Sequence, residues 1–193
     1  MKVVIALGSM LVSGETMMRY LLSDHVRPEL TMSSALAQRM DQERLENLLA
    51  EARGGLVLVL PTDDGWQKFP ALYNAINDDG VAANKFRADL MFAAGGEMDV
   101  VGGFDALLNY AYQNDGVVDT AYGTPIKVEE DARVCLAEYD STWSLRTTKC
   151  AQLILPPLVF DDGSLYMTSD IILPDDLWNE INVYMADSAG SAQ

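Results

Sequence analysis

The chain has 193 residues, and its 13 Lys and Arg stand against 29 Asp and Glu, which gives a formal net charge of −16. A surface with this charge repels phosphate backbones and anionic lipid, so the composition argues against nucleic acid as a partner. Hydrophobic residues make up 49% of the chain and are interleaved with the acids, so we expect a folded domain with a real core rather than a disordered acidic tail.

Cysteine and histidine are scarce. The two cysteines, Cys135 and Cys150, cannot form a cysteine-rich zinc site, and the single histidine, His25, cannot support a multi-histidine metal cluster. We therefore expect no metal site and no cofactor, and we interpret His25 as a surface residue in a loop. No apolar run reaches the roughly 20 residues that a membrane span requires, so no transmembrane helix is expected.

The N-terminus allows two interpretations. In residues 1–14 a single lysine precedes a short apolar stretch that ends in small residues, which is the pattern of a secretory signal peptide. A first β-strand or a buried helical turn explains the same residues equally well. Both interpretations stay open at this point.

The next elements are better defined. Apolar residues recur with helical spacing from residue 33 to about residue 52, which predicts a helix. The continuous apolar run 56–60 predicts a strand buried on both faces. Pro61 ends this strand because proline cannot donate to the ladder, and Thr62 or Asp63 is expected to cap a short helix that follows.

The rest of the chain changes from helix to strand. Helical spacing recurs at 86–94 and 104–112, and an amphipathic helix with acids in its first turn follows Pro174. The predicted strands are 125–129, 133–139, 143–147, 151–155 and 164–173. Helices first and strands later indicate an α+β domain rather than alternating βαβ units.

Three segments follow one another in a characteristic order. Residues 57–66 read Val-Leu-Val-Leu-Pro-Thr-Asp-Asp-Gly-Trp, residues 122–128 read Tyr-Gly-Thr-Pro-Ile-Lys-Val, and residues 162–174 begin with Asp-Gly and end in Ile-Ile-Leu-Pro. Together they resemble the signatures of the fasciclin (FAS1) domain family, namely a hydrophobic strand before Ala-Pro-Thr-Asn/Asp, a Leu-Gly-X-Pro strand, and a second signature of the same length and spacing.

The resemblance implies an architecture. It implies an α+β, FAS1-like fold, with N-terminal helices packed on a β-grasp-like sheet or wedge, here with an added C-terminal amphipathic helix. The implied divisions are an N-terminal extension over 1–32, which is a signal peptide or a docking segment, a FAS1-like domain over 33–174, and a C-terminal helix and tail over 175–193. The signature positions expected to serve this fold are Pro61, Thr62, Asp63, Trp66, Gly123, Pro125, Asp162, Gly163, Tyr166 and Pro174.

The chain departs from the family at positions associated with adhesion. The family's central Tyr-His pair aligns with Phe92 and Ala93, the histidine of its second signature is replaced by Tyr166, and the terminal aspartate is replaced by Ser169. The resemblance therefore implies protein–protein contact rather than a reaction or integrin-type adhesion.

Two further patterns carry open alternatives. Cys135 and Cys150 lie on neighbouring predicted strands, so they form either a cross-strand disulfide or two buried thiols. Several acidic pairs lack the alternating spacing of a calcium loop and are interpreted as helix caps and solvated turns. These pairs are Asp63-Asp64, Asp78-Asp79, Asp161-Asp162 and Asp175-Asp176.

The helix after Pro174 carries an apolar stripe that suggests a function. The stripe either covers its own domain or docks onto another subunit, in which case its interface residues are Trp178, Ile181, Tyr184 and Met185.

Two classes of function remain. The preferred class is a non-enzymatic, FAS1-type interaction module that is extracellular, periplasmic or in an organelle lumen. Such a module binds another protein, either in adhesion or a matrix, or as an accessory subunit of a larger, membrane-associated complex. The alternative is a FAS1-like protein that binds a small apolar ligand or a carbohydrate, or a carboxylate-based hydrolase.

Overall fold

A computed structural model describes residues 10–12, 16–40, 56–78, 83, 85–87, 95–97, 102–120, 122–139, 141–142 and 144–190. The helices are α1 (Met17–Leu21), α2 (Thr31–Gln38), α3 (Asp63–Gln67), α4 (Pro70–Ile76), α5 (Phe104–Gln113) and α6 (Asp175–Gly190), and a 3₁₀ turn, Pro28–Leu30, precedes α2. The strands are β1 (Met10–Leu11), β2 (Leu56–Pro61), β3 (Gly95–Glu97), β4 (Val117–Val118), β5 (Ile126–Val128), β6 (Arg133–Tyr139), β7 (Leu145–Phe160) and β8 (Gly163–Thr168).

The strands form a mixed sheet in the order β3-β2-β8-β7-β6-β5-β4, with β1 added in parallel to β7. Its centre is the parallel pair β2–β8, in register from Leu56 opposite Gly163 to Pro61 opposite Thr168. The long strand β7 pairs with β6 over its first half and with β8 over its second half. The first and second signature segments are therefore neighbours at the middle of the sheet.

Each face of the sheet has its own core, because successive side chains of β2 and β8 point to opposite faces. One core lies under α1 and α2 and contains Met17, Leu21, Leu30, Leu58, Leu60, Leu165 and Met167. The other lies under α5 and contains Val57, Val59, Phe104, Leu107, Val134, Leu136 and Tyr166. A third cluster joins α3, α4 and α6 through Trp66, Leu72, Ile76, Leu173, Leu177 and Ile181.

The predicted N-terminal extension packs into this architecture. Met17 and Leu21 have no exposed surface and belong to the core beneath β2 and β8. The Met17 amide also donates to Asp162 Oδ1 at 2.9 Å, in the turn between β7 and β8. Helix α1, which falls within this predicted extension, therefore packs on the same core as α2. Residues 1–9, 13 and 14 of the suggested signal segment lie outside the described residues.

The predicted helix over 33–52 differs from the structure in its bounds. Helix α2 begins earlier, at Thr31, and ends at Gln38. It ends because the Arg39 amide bonds to the Leu36 carbonyl at 3.2 Å, a tighter turn that does not continue the α-helical ladder. The remainder of the predicted helix, 41–52, lies outside the described residues, as does most of the helix predicted over 86–94.

Two predicted strands, 143–147 and 151–155, are parts of the single strand β7. Between the two predicted strands lies Lys149, an extra residue with a φ of 23° at a register shift opposite Cys135 and Leu136. The ladder accommodates this residue as a β-bulge and continues past it.

The strand predicted over 164–173 ends at Thr168. Beyond it, the Thr168 hydroxyl donates to the Asp170 carbonyl at 2.8 Å, and Asp170 Oδ1 accepts the Ile171 amide at 3.0 Å. Local side-chain bonds of this kind compete with strand pairing, so residues 169–174 form an irregular loop before α6.

Candidate interaction surface

Helix α6 packs its apolar stripe against its own domain. Leu177 and Ile181 are 0% exposed and contact the third cluster, so Ile181 has no surface to offer a partner. Trp178, Tyr184 and Met185 pack against the same cluster but stay partly exposed at its margin. Of the two interpretations of this stripe, packing on the chain's own core therefore accounts for its centre, and its margin remains accessible.

Aromatic rings from other elements extend this margin. The Phe69 ring, between α3 and α4, meets Trp178 with 5.9 Å between centroids, and Phe86 meets Tyr184 at 5.5 Å. Tyr122 and Ile171 are likewise partly exposed and pack on the cluster. We define the α6 aromatic face as these partly exposed residues, namely Phe69, Tyr122, Ile171, Trp178, Tyr184 and Met185.

Ion pairs hold the segment that leads into α6. Lys68 Nζ lies 2.8 Å from both the Ser169 carbonyl and Asp170 Oδ2. Lys149 Nζ donates to the Leu173 carbonyl at 3.1 Å and pairs with Asp175. These contacts hold the loop that carries Ile171 and leads into α6.

Acidic residues border the face. The Tyr122 hydroxyl donates to Asp176 Oδ2 at 3.2 Å, and Lys85 pairs with Glu180 at 2.9 Å. No lysine or arginine follows Lys149 in the sequence. The α6 side of this surface therefore presents carboxylates and aromatic rings, and its nearby cations come from other elements.

The first signature forms a structural corner. The Thr62 amide bonds to the Thr168 carbonyl at 3.0 Å, and its hydroxyl donates to the same oxygen at 3.3 Å. Thr62 stands at the N-terminal position of α3 as predicted, but its side chain extends the β2–β8 ladder instead of capping that helix. Asp63 caps the neighbouring helix α2, since its Oδ1 accepts the Met32 amide at 2.8 Å.

Trp66 secures the same corner. Its Nε1 donates to Ser33 Oγ at 2.9 Å, and the Ser33 hydroxyl donates to the Pro61 carbonyl at 2.9 Å. Gly65 lies against this corner, where an added Cβ would come within 3.2 Å of the Pro61 side chain. The corner therefore orders strand β2 and helices α2 and α3 relative to one another.

The other signature positions also serve the backbone. Gly123 has a φ of 101°, which disfavours side-chain-bearing residues, and it forms a turn to Thr120. Pro125 accepts the Ala137 amide at 2.9 Å, and Pro174 accepts the Trp178 amide at 2.9 Å where α6 begins. Gly163 opens β8 directly after the Asp161-Asp162 turn.

Tyr166 stands at the position that the FAS1 resemblance aligns with a histidine. Its side chain is fully buried beneath α5, and its hydroxyl has no hydrogen-bond partner among the described residues. Burial raises the pKa of the Tyr166 phenol well above its usual value, and the Asp105 carboxylate raises it further. Tyr166 is therefore a neutral core residue at physiological pH.

The remaining candidates are placed as follows. Cys135 and Cys150 form a disulfide between β6 and β7. His25 is exposed in the loop after α1. Across the described ranges no group of three or more His, Cys, Asp or Glu side chains could hold a metal ion, and no helix is long and apolar enough to cross a membrane. Phe92 and Ala93 lie outside the described residues.

Sequence patterning of one helix did not reveal the whole α6 aromatic face. Phe69, Tyr122 and Ile171 belong to a short helical corner, a turn and a loop, and none is spaced with the α6 stripe. Their packing against the third cluster brings them together, and Phe69 also contacts the Trp178 ring.

Comparison with known proteins supports the fold. No family model and no curated protein matches the sequence. Among solved structures, the chain is similar to a FAS1 domain pair from the insect cell adhesion molecule fasciclin I, with a TM-score of 0.61 and 16% identity over 86% of this chain. The match covers 53% of that chain, so this chain spans about half the length of the pair. The α+β, FAS1-like fold predicted from the three segments is thereby confirmed.

Proposed function

We propose that the chain is a non-enzymatic protein–protein interaction module of the FAS1 type and that the α6 aromatic face is its partner surface. The observation that carries the proposal is the edge-to-face pair of Phe69 and Trp178, whose rings are anchored in the core and still partly exposed. Rigid aromatic side chains of this kind are enriched among the residues that dominate protein interfaces.

The charge of the chain specifies the partner further. With a net charge of −16, and carboxylates along α6, the face suits a protein whose docking surface is basic around an apolar centre. Complementary charge of this kind accelerates association and is weakened by salt.

The disulfide bears on the compartment. Disulfides persist in oxidising environments, so the Cys135–Cys150 bond favours an extracellular, periplasmic or lumenal location. A role in adhesion, in a matrix or as an accessory subunit of a larger complex fits such a location, and the similar fold in an insect cell adhesion molecule supports it by analogy.

Site-specific photo-crosslinking tests the proposal. A photoreactive phenylalanine analogue at Trp178 is expected to give a discrete adduct with one protein in the native source, and the same analogue at exposed Tyr139, outside the α6 aromatic face, is expected to give none. Equal labelling from both positions, or a lone monomer that retains a small ligand or turns over a substrate, would overturn it.

A further inference from the structure

The two sulfurs of the disulfide differ in their access to solvent. Cys135 in β6 is 1% exposed, whereas Cys150, directly opposite in β7, is an exposed residue. Both side chains project from the sheet face opposite the core beneath α5, because the flanking Val134, Leu136 and Ala151 point into that core. Cys150 is therefore the half of the disulfide on the protein surface, and Cys135 is shielded from an incoming thiolate.

A lysine faces the buried cysteine across the pair of strands β5 and β6. Lys127 of β5 lies directly across from Cys135 in register, so the two side chains share one face of the sheet. Lys127 Nζ is 3.4 Å from Glu129 Oε1, and both side chains are half-buried. A neighbouring lysine stabilises a thiolate, so Lys127 lowers the cost of negative charge on Cys135.

We infer that Cys150 is a thiol–disulfide exchange site for an external dithiol protein. The thiolate of that protein attacks Cys150 Sγ and forms a mixed disulfide, while the Cys135–Cys150 bond breaks and its electron pair leaves on Cys135. The Cys135 thiolate then takes a proton from water.

The second thiol of the external protein completes the reaction. As a thiolate it attacks its own partner sulfur in the mixed disulfide and expels Cys150 as a thiolate, which is also protonated. The external dithiol is oxidised to a disulfide, and the Cys135–Cys150 bond is reduced to two thiols by two electrons.

A matched pair of single variants tests the asymmetry. Cys135→Ser leaves only the Cys150 thiol and Cys150→Ser leaves only the Cys135 thiol, and both lose the same disulfide. With native secondary structure verified by circular dichroism, the reaction with Ellman's reagent is expected to be at least about tenfold faster for Cys135→Ser, because a buried thiol reacts only after local opening. Equal rates or the reverse order would overturn the assignment.

A trapping experiment on the wild-type chain tests the assignment of Cys150 as the exchange site without those variants. A thioredoxin-type reductant whose second cysteine is replaced by serine stops at the mixed disulfide. Trypsin cleavage after Arg146 and Lys149 then places the two cysteines on different peptides. We expect the adduct on the Cys150 peptide. An adduct on the Cys135 peptide, or none on the folded chain when the urea-unfolded chain forms one, would overturn the inference.

The role of Lys127 has its own control. Lys127→Met is expected to slow adduct formation severalfold, and Lys68→Met, which removes a lysine bound to Asp170 in another part of the structure, is expected to leave the rate unchanged. Equal rates for the two variants would overturn the stabilising role of Lys127.

Discussion

The indole of Trp178 meets the ring of Phe69 edge to face, with 5.9 Å between centroids and 78° between ring planes. Trp178 belongs to α6, and Phe69 lies between α3 and α4, so this pair connects the last helix to the corner that follows β2. The two rings stabilise the contact between these elements in addition to offering a surface.

A double-mutant cycle measures this pair. We expect the double variant Trp178→Ala/Phe69→Ala to lose less free energy of unfolding than the two single variants lose in sum. The difference, a coupling free energy measured by urea unfolding, should be about 0.5–1.5 kcal/mol. Purely additive losses would show that the edge-to-face geometry contributes nothing beyond burial.

The buried stripe of α6 gives a second prediction. Ile181→Ala should lower the free energy of unfolding by about 2–5 kcal/mol, because it leaves a cavity in the third cluster. Val183 is 62% exposed on the same helix, and Val183→Ala should change stability by no more than about 0.5 kcal/mol. Thermal or urea unfolding of the two variants checks this, and similar losses would contradict the packing of α6 described above.

The hydrogen bonds at Trp66 give a third prediction. Ser33→Ala removes the acceptor of the Trp66 Nε1 hydrogen bond and the donor to the Pro61 carbonyl, so it should cost about 1–3 kcal/mol. In a Trp66→Phe background, which lacks the indole donor, the same change should cost less. If the loss is equal in both backgrounds, the Ser33–Trp66 bond does not stabilise the corner.

Tyr166 gives a prediction for alkaline pH. Burial, and then Asp105, raise the pKa of this phenol in the folded state, so the folded chain holds the proton more tightly than the unfolded chain. The free energy of unfolding is therefore independent of this group below the unfolded pKa of about 10. Above that pH it falls by about 1.4 kcal/mol per pH unit. Urea unfolding between neutral and alkaline pH should show this slope.

The matched variants are Tyr166→Phe and, as an exposed control, Tyr139→Phe. Tyr166→Phe should lose the part of the alkaline slope that Tyr166 contributes, and Tyr139→Phe should retain it. At neutral pH Tyr166→Phe should be as stable as wild type or more stable by up to about 1 kcal/mol, since it removes a buried hydroxyl without a partner. An unchanged slope in Tyr166→Phe would contradict the raised pKa.

Local patterns with one dominant physical cause were predictable. The run 56–60 is apolar at every position and forms the central strand β2. The side chains of residues 57–60 are all buried because this strand is covered on both faces. The spacing over 104–112 corresponds to α5, which covers one core with Phe104, Leu107 and Ala111. Each of these elements is determined by its own burial pattern.

Features that depend on tertiary contacts were not predictable in the same way. The bulge at Lys149 could not be predicted because the pairing with β6 that absorbs the extra residue is not visible in the sequence. The core neighbours of α1, such as Leu58 and Leu165, could not be identified from the sequence because they come from distant strands. The α6 aromatic face combines residues from separate elements, so no single periodicity reports it.

The parallel pairing of β2 with β8 governs when this protein can fold during synthesis. Leu56 pairs with Gly163, so β2 cannot pair with β8 until more than 100 further residues have been synthesised. At ribosomal rates that interval lasts about 5–20 s, far longer than the microseconds in which a hairpin forms. During this time the apolar strand β2 is without its partner β8, so nascent chains that end before residue 163 should be the ones that need chaperone protection.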